Sequence, residues 1–219
     1  MNDKAILLVT CASTIHLARQ LLETTRFNYP VVVAVNQAEM LGLTYDNAYS
    51  LERVQRYAAQ IIPIEGNRWE LGAIQYMLMF TNYDDWILIQ DTIEVKDNDI
   101  FNRMFEHPNR SVSFGPFWEC YLGRYRREVL THIQIPICLT KFDSVYQEVM
   151  FHRQYNEVAK NIEQTEVLVM FSEWGNDNPK NTQDQKFGRR NLVLDNPYII
   201  KRKSLEWSLP GDFKFTIRD

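Results

Sequence analysis

Three short apolar runs, at residues 5–10, 31–35 and 86–89, constrain this chain more than any other feature. A brief run with no polar alternation describes a strand covered on both faces, and such strands belong to parallel sheets flanked by helices. Residues 15–24 lie between the first two runs and have helical spacing, with Ser13 or Thr14 placed as the cap. The opening is therefore a βαβ unit with a right-handed crossover. The expected fold class is α/β, a mainly parallel sheet flanked by helices.

Downstream, 51–59 reads as a helix and 61–64 as a short strand whose Pro63 suits a sheet edge or a strand end. Residues 70–80 form a helix with Leu71, Ile74, Met77 and Leu78 on one side. A further helix covers 97–104, capped by Asp97 or Asn98. Beyond Pro108 the pattern becomes mixed. It holds a strand at 111–114, an aromatic stretch with Phe117, Trp118 and Tyr121, helices at 124–132 and 144–155, and short strands at 167–171, 191–194 and 198–201. Residues 173–187 are polar and read as a loop able to fold over a ligand. The chain reads as one domain in two halves, about 1–107 and about 108–219.

Twenty-eight acidic against 24 basic residues give a net charge of −4, which does not suit a protein that coats duplex DNA. Cys11, Cys120 and Cys138 lack zinc spacing and read as reduced thiols. The N-terminal apolar run is too short for a signal peptide, and no stretch approaches the roughly 20 residues of a membrane span. The expectation is a soluble cytoplasmic protein with no membrane partner.

Ligands of an open parallel sheet bind beyond the carboxyl ends of its strands. The residues leaving the strands are Thr10, Cys11, Ala12 and Ser13, then Asn36, then Gln90 and Asp91. No GxGxxG or GxxxxGK[ST] follows any of them, so a phosphate-bearing ligand must be met by a metal or by basic side chains. Asp91 is the strongest single candidate, because a divalent ion on a diphosphate needs only one or two protein carboxylates. Its plainer reading is a turn or helix cap. Cationic side chains are concentrated in Arg189-Arg190 and Lys201-Arg202-Lys203, with a solvated basic tail as the simpler alternative.

The order of elements, with Ile61-Ile62-Pro63-Ile64, Asn67-Arg68-Trp69-Glu70-Leu71-Gly72-Ala73 and Trp86-Ile87-Leu88-Ile89-Gln90-Asp91-Thr92, resembles the GT-A-fold glycosyltransferases of the small family-2-like kind, some of them virus-encoded. In that family a strand ending in Asp-x-Asp holds a divalent ion on the donor diphosphate. Here Gln90-Asp91-Thr92 keeps one carboxylate, so the resemblance assigns Mn2+ or Mg2+ to Asp91. It further implies a nucleotide-sugar donor held by Thr10, Cys11, Ala12, Ser13, Asn36, Arg68 and Gln90, with Arg189, Arg190, Lys201 and Lys203 at the phosphates. Glu148, with Asp143 second, falls where the family places a carboxylate that deprotonates the acceptor. His152, one turn on, reads as a surface histidine before a partner of Glu148 or of a phosphate. The implied activity is sugar transfer to a hydroxyl acceptor, a modified DNA base being one candidate. The rivals are a nucleotidyltransferase and an inactive α/β module that binds a nucleotide or a partner.

Overall fold

Each apolar run is a buried strand. The computed structural model describes residues 3–108, 111–113, 122–138, 140–164, 168–169, 192–195 and 198–202. In it β1 (Lys4–Cys11), β2 (Val31–Asn36), β3 (Gln60–Ile64) and β4 (Asp85–Gln90) run parallel in the order β3-β2-β1-β4. Pro63 lies on β3, at the edge of the sheet, where its missing N–H breaks no ladder.

Successive strand residues point to opposite faces, and each face buries its own set. Ile6, Leu8, Val33, Ile87 and Ile89 pack on the side of α1 (Ile15–Thr24), α2 (Tyr45–Tyr57) and α4 (Asp99–Glu106). Ala5, Leu7, Val32, Trp86 and Leu88 pack on the side of α3 (Trp69–Phe80) and α6 (Lys141–Glu163). The first two crossovers, through α1 and α2, use one face; the third, through α3, uses the other and brings β4 to the far side of β1. A right-handed chain that reverses its direction of travel across a sheet must change faces in this way.

The helix expected at 124–132 is a correction. Residues Leu122–Arg126 form β7, antiparallel to β4, and only Arg127–Leu130 is helical, as α5. The Arg-, Glu- and Leu-containing run after Tyr125 suits a helix, but the free edge of β4 needs a hydrogen-bonding partner and draws Leu122–Arg126 into the sheet. A buried ion pair fixes the exchange. Arg124 Nη2 donates to Asp85 Oδ2 at 2.7 Å and Arg124 Nε to Oδ1 at 3.0 Å, while Nη1 donates to the Met104 carbonyl at 2.9 Å. Short strands β6 (Val112–Ser113) and β8 (Leu168–Val169) extend the sheet.

A second, antiparallel sheet was only partly legible. Strand β5 (Ile93–Val95), which follows β4 directly, pairs with β10 (Ile199–Arg202), and β10 pairs with β9 (Leu192–Asp195). The later part of the chain thus returns to the end of the central strand. Helix α2 starts earlier than expected because Thr44 caps it, its Oγ1 accepting from the Asn47 N–H at 3.2 Å. Phe117, Trp118, Tyr121, Cys120, the loop 173–187, Arg189, Arg190 and Lys203 lie outside the described residues. Among the described residues no helix is long and apolar enough to cross a membrane.

His152 is the second correction, since it is buried at 1% exposure rather than on the surface. Its Nδ1 lies 2.9 Å from the Glu148 carbonyl, which can only accept, so Nδ1 carries the proton and Nε2 accepts from Tyr125 Oη at 3.0 Å. Helix α6 presents Phe151, Tyr155 and Ala159 to the sheet, and His152 belongs to that buried side. Burial pushes its pKa from 6.5 down to about 4. The unfolded chain therefore binds a proton that the folded chain refuses between those values. Stability is fully present above pH 6.5 and falls by on the order of 3 kcal/mol as the pH drops to 4. Urea unfolding of wild type and His152→Gln across this range checks it: the acid loss of the variant is smaller by about that amount.

Candidate active site

β1 leads into a turn and helix on one face, while the chain reaching β4 comes from the other, so the seam between these neighbours is a topological switch point. Crevices at such points, beyond the carboxyl ends of the strands, are where open α/β sheets bind ligands. The residues that leave β1 and β4 meet there. Asp91 Oδ2 accepts from Thr10 Oγ1 and from Thr14 Oγ1, both at 2.6 Å. Thr14 also accepts from the Cys11 N–H at 3.2 Å, which tightens the turn Ala12–Thr14 that starts the helix. Ala12 is buried and Ser13 is exposed. Of the residues expected at this turn, Thr10 thus holds the carboxylate, Cys11 and Ala12 build the turn, and Ser13 faces solvent.

Gln90 and Asp91 are consecutive, so they leave the strand toward opposite sides. Gln90 turns to α3 and donates through Nε2 to Glu70 Oε1. Its Oε1 accepts from Lys201 Nζ, which also donates to Thr92 Oγ1. Pairing of β10 with β5, with Lys201 opposite Ile93, is what brings this lysine to the site from a sequence distance of more than a hundred residues. Lys201 is 7% exposed. An ammonium this buried is tolerated where polar atoms and carboxylates surround it. Burial raises the Asp91 carboxyl above its ordinary 3.8, and the two threonine hydroxyls and Lys201 oppose that rise.

Sequence reasoning missed Glu70, which reads as an ordinary first-turn helix carboxylate. It is 9% exposed, and among the described residues its Oε2 has no hydrogen-bonding partner. The turn before it is strained. Trp69 has φ 52, a left-handed conformation that costs a bulky residue roughly 1–2 kcal/mol. Two asparagines brace it: Asn36 Oδ1 accepts from the Arg68 N–H at 2.8 Å, and Asn67 Oδ1 accepts from the Trp69 N–H at 3.2 Å. The turn folds Arg68 back over the helix, where a Cβ at position 72 would sit 2.1 Å from Arg68 Cβ, so Gly72 is required. Asn36 is fully buried, and its Nδ2 donates to the Thr10 carbonyl at 3.4 Å. It shapes the edge and joins β1 to the strained turn. Arg68 borders a groove of about 250 Å³ with Tyr76, Met79, Ile137 and Cys138.

The two acceptor-side carboxylates separate clearly. Asp143 Oδ2 accepts from the Thr140 N–H and Thr140 Oγ1 from the Asp143 N–H, both at 3.1 Å, a capping box that accounts for Asp143. Glu148 is half-buried, and its Oε1 accepts from Ser144 Oγ at 2.9 Å. Lower on α6, Tyr155 Oη accepts from the Arg126 N–H at 3.1 Å, and Glu163 accepts from Ser111. These contacts lie toward the amino edge of the sheet, so Glu148, earlier on α6, lies on the carboxyl-edge side of them. Among the described residues no group of three or more His, Cys, Asp or Glu is arranged to hold a metal ion.

No protein-family profile and no curated protein matches the chain. Among solved structures it is similar to a mannosyltransferase from Pyrobaculum calidifontis in complex with GDP-Man and Mn2+, at 10% identity and TM-score 0.48, over 76% of this chain and 54% of that one. A cytidylyltransferase from Leptospira borgpetersenii is similar at 11% identity and TM-score 0.47, over 77% and 76%. The glycosyltransferase GlyE of Streptococcus pneumoniae is similar at 8% identity and TM-score 0.49, over 84% and 49%. The chain therefore spans about half the length of the mannosyltransferase and of GlyE.

A carboxylate whose folded pKa is raised costs stability above its ordinary pKa, and the cost fades as pH falls toward 3.8. Asp91→Asn, which keeps an acceptor for the threonines, is expected to melt higher than wild type at pH 7. The gap narrows by pH 4 in thermal unfolding.

Proposed function

We propose that this chain transfers a sugar from a nucleotide-diphosphate donor to a hydroxyl acceptor, on a GT-A-like sheet. The observation that carries the reading is the arrival of Asp91 at the seam of β1 and β4, backed by Thr10 and Thr14 and flanked by Lys201. A diphosphate is a concentrated anion, and no glycine-rich amide cradle exists here to receive it. Among the described residues Lys201 lies at this edge and Arg68 at the turn before α3, and they take its oxygens. The same lack of a glycine-rich basic loop at Cys11-Ala12-Ser13-Thr14 weighs against nucleotidyl transfer.

Asp91 is the residue that would hold a divalent cation, since one carboxylate suffices where phosphates and waters complete the shell. The chemistry such an ion supplies is neutralisation of the charge that builds on the departing diphosphate. The protein's own groups do the rest. Thr10 and Thr14 fix the Asp91 carboxylate, and Ser144 orients Glu148. Glu148 takes the proton from the acceptor hydroxyl as its oxygen bonds to the anomeric carbon and the carbon–phosphate-oxygen bond breaks.

The test is turnover of UDP- and GDP-sugars, with and without Mn2+, against Asp91→Asn. Turnover of at least one donor that is lost in the folded variant supports the reading, and inertness toward all of them overturns it. Lys201→Met, which keeps the packed stem, is expected to weaken nucleoside diphosphate binding about tenfold in calorimetry and leave nucleoside binding unchanged. Glu148→Gln is expected to slow transfer to acceptor about 100-fold with unchanged donor affinity. A variant that loses donor affinity and keeps its transfer rate removes Glu148 from the role of base.

A further inference from the structure

Resting on the nucleotide-sugar reading, the structure assigns to Glu70 the recognition of a hydroxyl group on the donor. Glu70 follows the strained turn at Trp69 and bonds Gln90, the residue next to Asp91 at the end of β4. One carboxylate oxygen accepts from Gln90, and the other is buried without a partner among the described residues. A buried acceptor left unmade costs about 1–3 kcal/mol, and more when it is charged, so a group that satisfies it gains that much. The chain keeps this unpaired oxygen on a carboxylate bonded to Gln90, whose carbonyl in turn accepts from Lys201.

The chemistry narrows what that group is. A carboxylate oxygen accepts hydrogen bonds, so an uncharged group that satisfies it must donate one. Phosphate oxygens are excluded by charge and belong with Lys201. Of the parts of a nucleotide-sugar, the hydroxyls of the ribose and of the transferred sugar are the abundant donors. Gln90 is fixed in orientation from both ends, its N–H toward Glu70 and its carbonyl toward Lys201. A phosphate that draws Lys201 away releases that carbonyl, and Gln90 is then free to turn from Glu70 and uncover it. Phosphate binding at Lys201 and hydroxyl binding at Glu70 are thus linked through one amide.

The experiment is calorimetry with wild type and Glu70→Gln. The probes are UDP and GDP, their 2′,3′-dideoxy forms, and UDP-glucose and GDP-mannose. Exchanging a charged for a neutral acceptor weakens a hydroxyl contact by about tenfold. If the transferred sugar supplies the hydroxyl, the nucleotide-sugar loses about tenfold and the plain diphosphate is unchanged. If the ribose supplies it, both lose equally and the dideoxy nucleotides are unaffected. Either result supports the assignment. Equal affinity of the two proteins for every probe, or an equal loss that includes the dideoxy diphosphates, overturns it. A wild-type chain that binds none of the probes overturns the nucleotide reading itself, which separates the two failures. Thermal unfolding of Glu70→Gln confirms the fold, and Glu70→Asp, which keeps the charge but draws it back, repeats the test should the glutamine variant not fold.

Discussion

Strand β4 must be hydrogen-bonded along both edges and covered on both faces, and the remainder of the molecule depends on that requirement. Its parallel edge takes β1, which creates the switch point, and its other edge takes β7. The two faces take opposing helix layers built from alternate residues of the same strand. The Asp85–Arg124 pair locks β7 in place at the amino end. Breaking such a buried pair from one side leaves an uncompensated charge, which typically costs about 3–5 kcal/mol. At the opposite end the same strand delivers Gln90 to α3 and Asp91 to the turn that follows β1.

This strand end is organised by charge. Two carboxylates, Glu70 and Asp91, lie on either side of the strand end, and one buried ammonium, Lys201, reaches between them through Gln90 and Thr92. Two carboxylates and one ammonium this close together are stable only where hydrogen bonds are plentiful, and Thr10, Thr14, Gln90 and Thr92 supply them. Stability is given up for this arrangement in two places: the raised pKa of Asp91 and the left-handed Trp69. Strain and perturbed titration gather where a fold handles ligands.

Elsewhere the same rules hold structure together without chemistry. Arg127 donates to the carbonyls of Leu78, Thr81 and Tyr83 at 2.9, 2.7 and 2.8 Å, closing the carboxyl end of α3. His152 stays neutral between α6 and Tyr125. Asp143, which sequence position made a second candidate base, spends its carboxylate on the first turn of α6. Residue type alone does not separate these roles from catalytic ones. Partners do.

The amino-acid sequence by itself determined the parallel strands, their helices and the strand ends. These are local properties: an unbroken apolar run, a 3.6-residue period and a cap leave their mark within a dozen neighbouring residues. The place of Asp91 at a strand end was legible for the same reason, as the first carboxylate after the apolar run 86–89. The strand at Leu122–Arg126 was not, because Leu-Gly-Arg-Tyr-Arg carries no alternating apolar pattern and only the open edge of β4 and the buried Asp85 define it. Nor was the burial of Glu70, whose isolation arises from what surrounds it rather than from its own place in a helix. Lys201 was suspected for its charge, but only the pairing of β10 with β5 carries it across more than a hundred residues to Asp91's side. Contacts between distant segments decide which charges are buried together, and no local pattern encodes them.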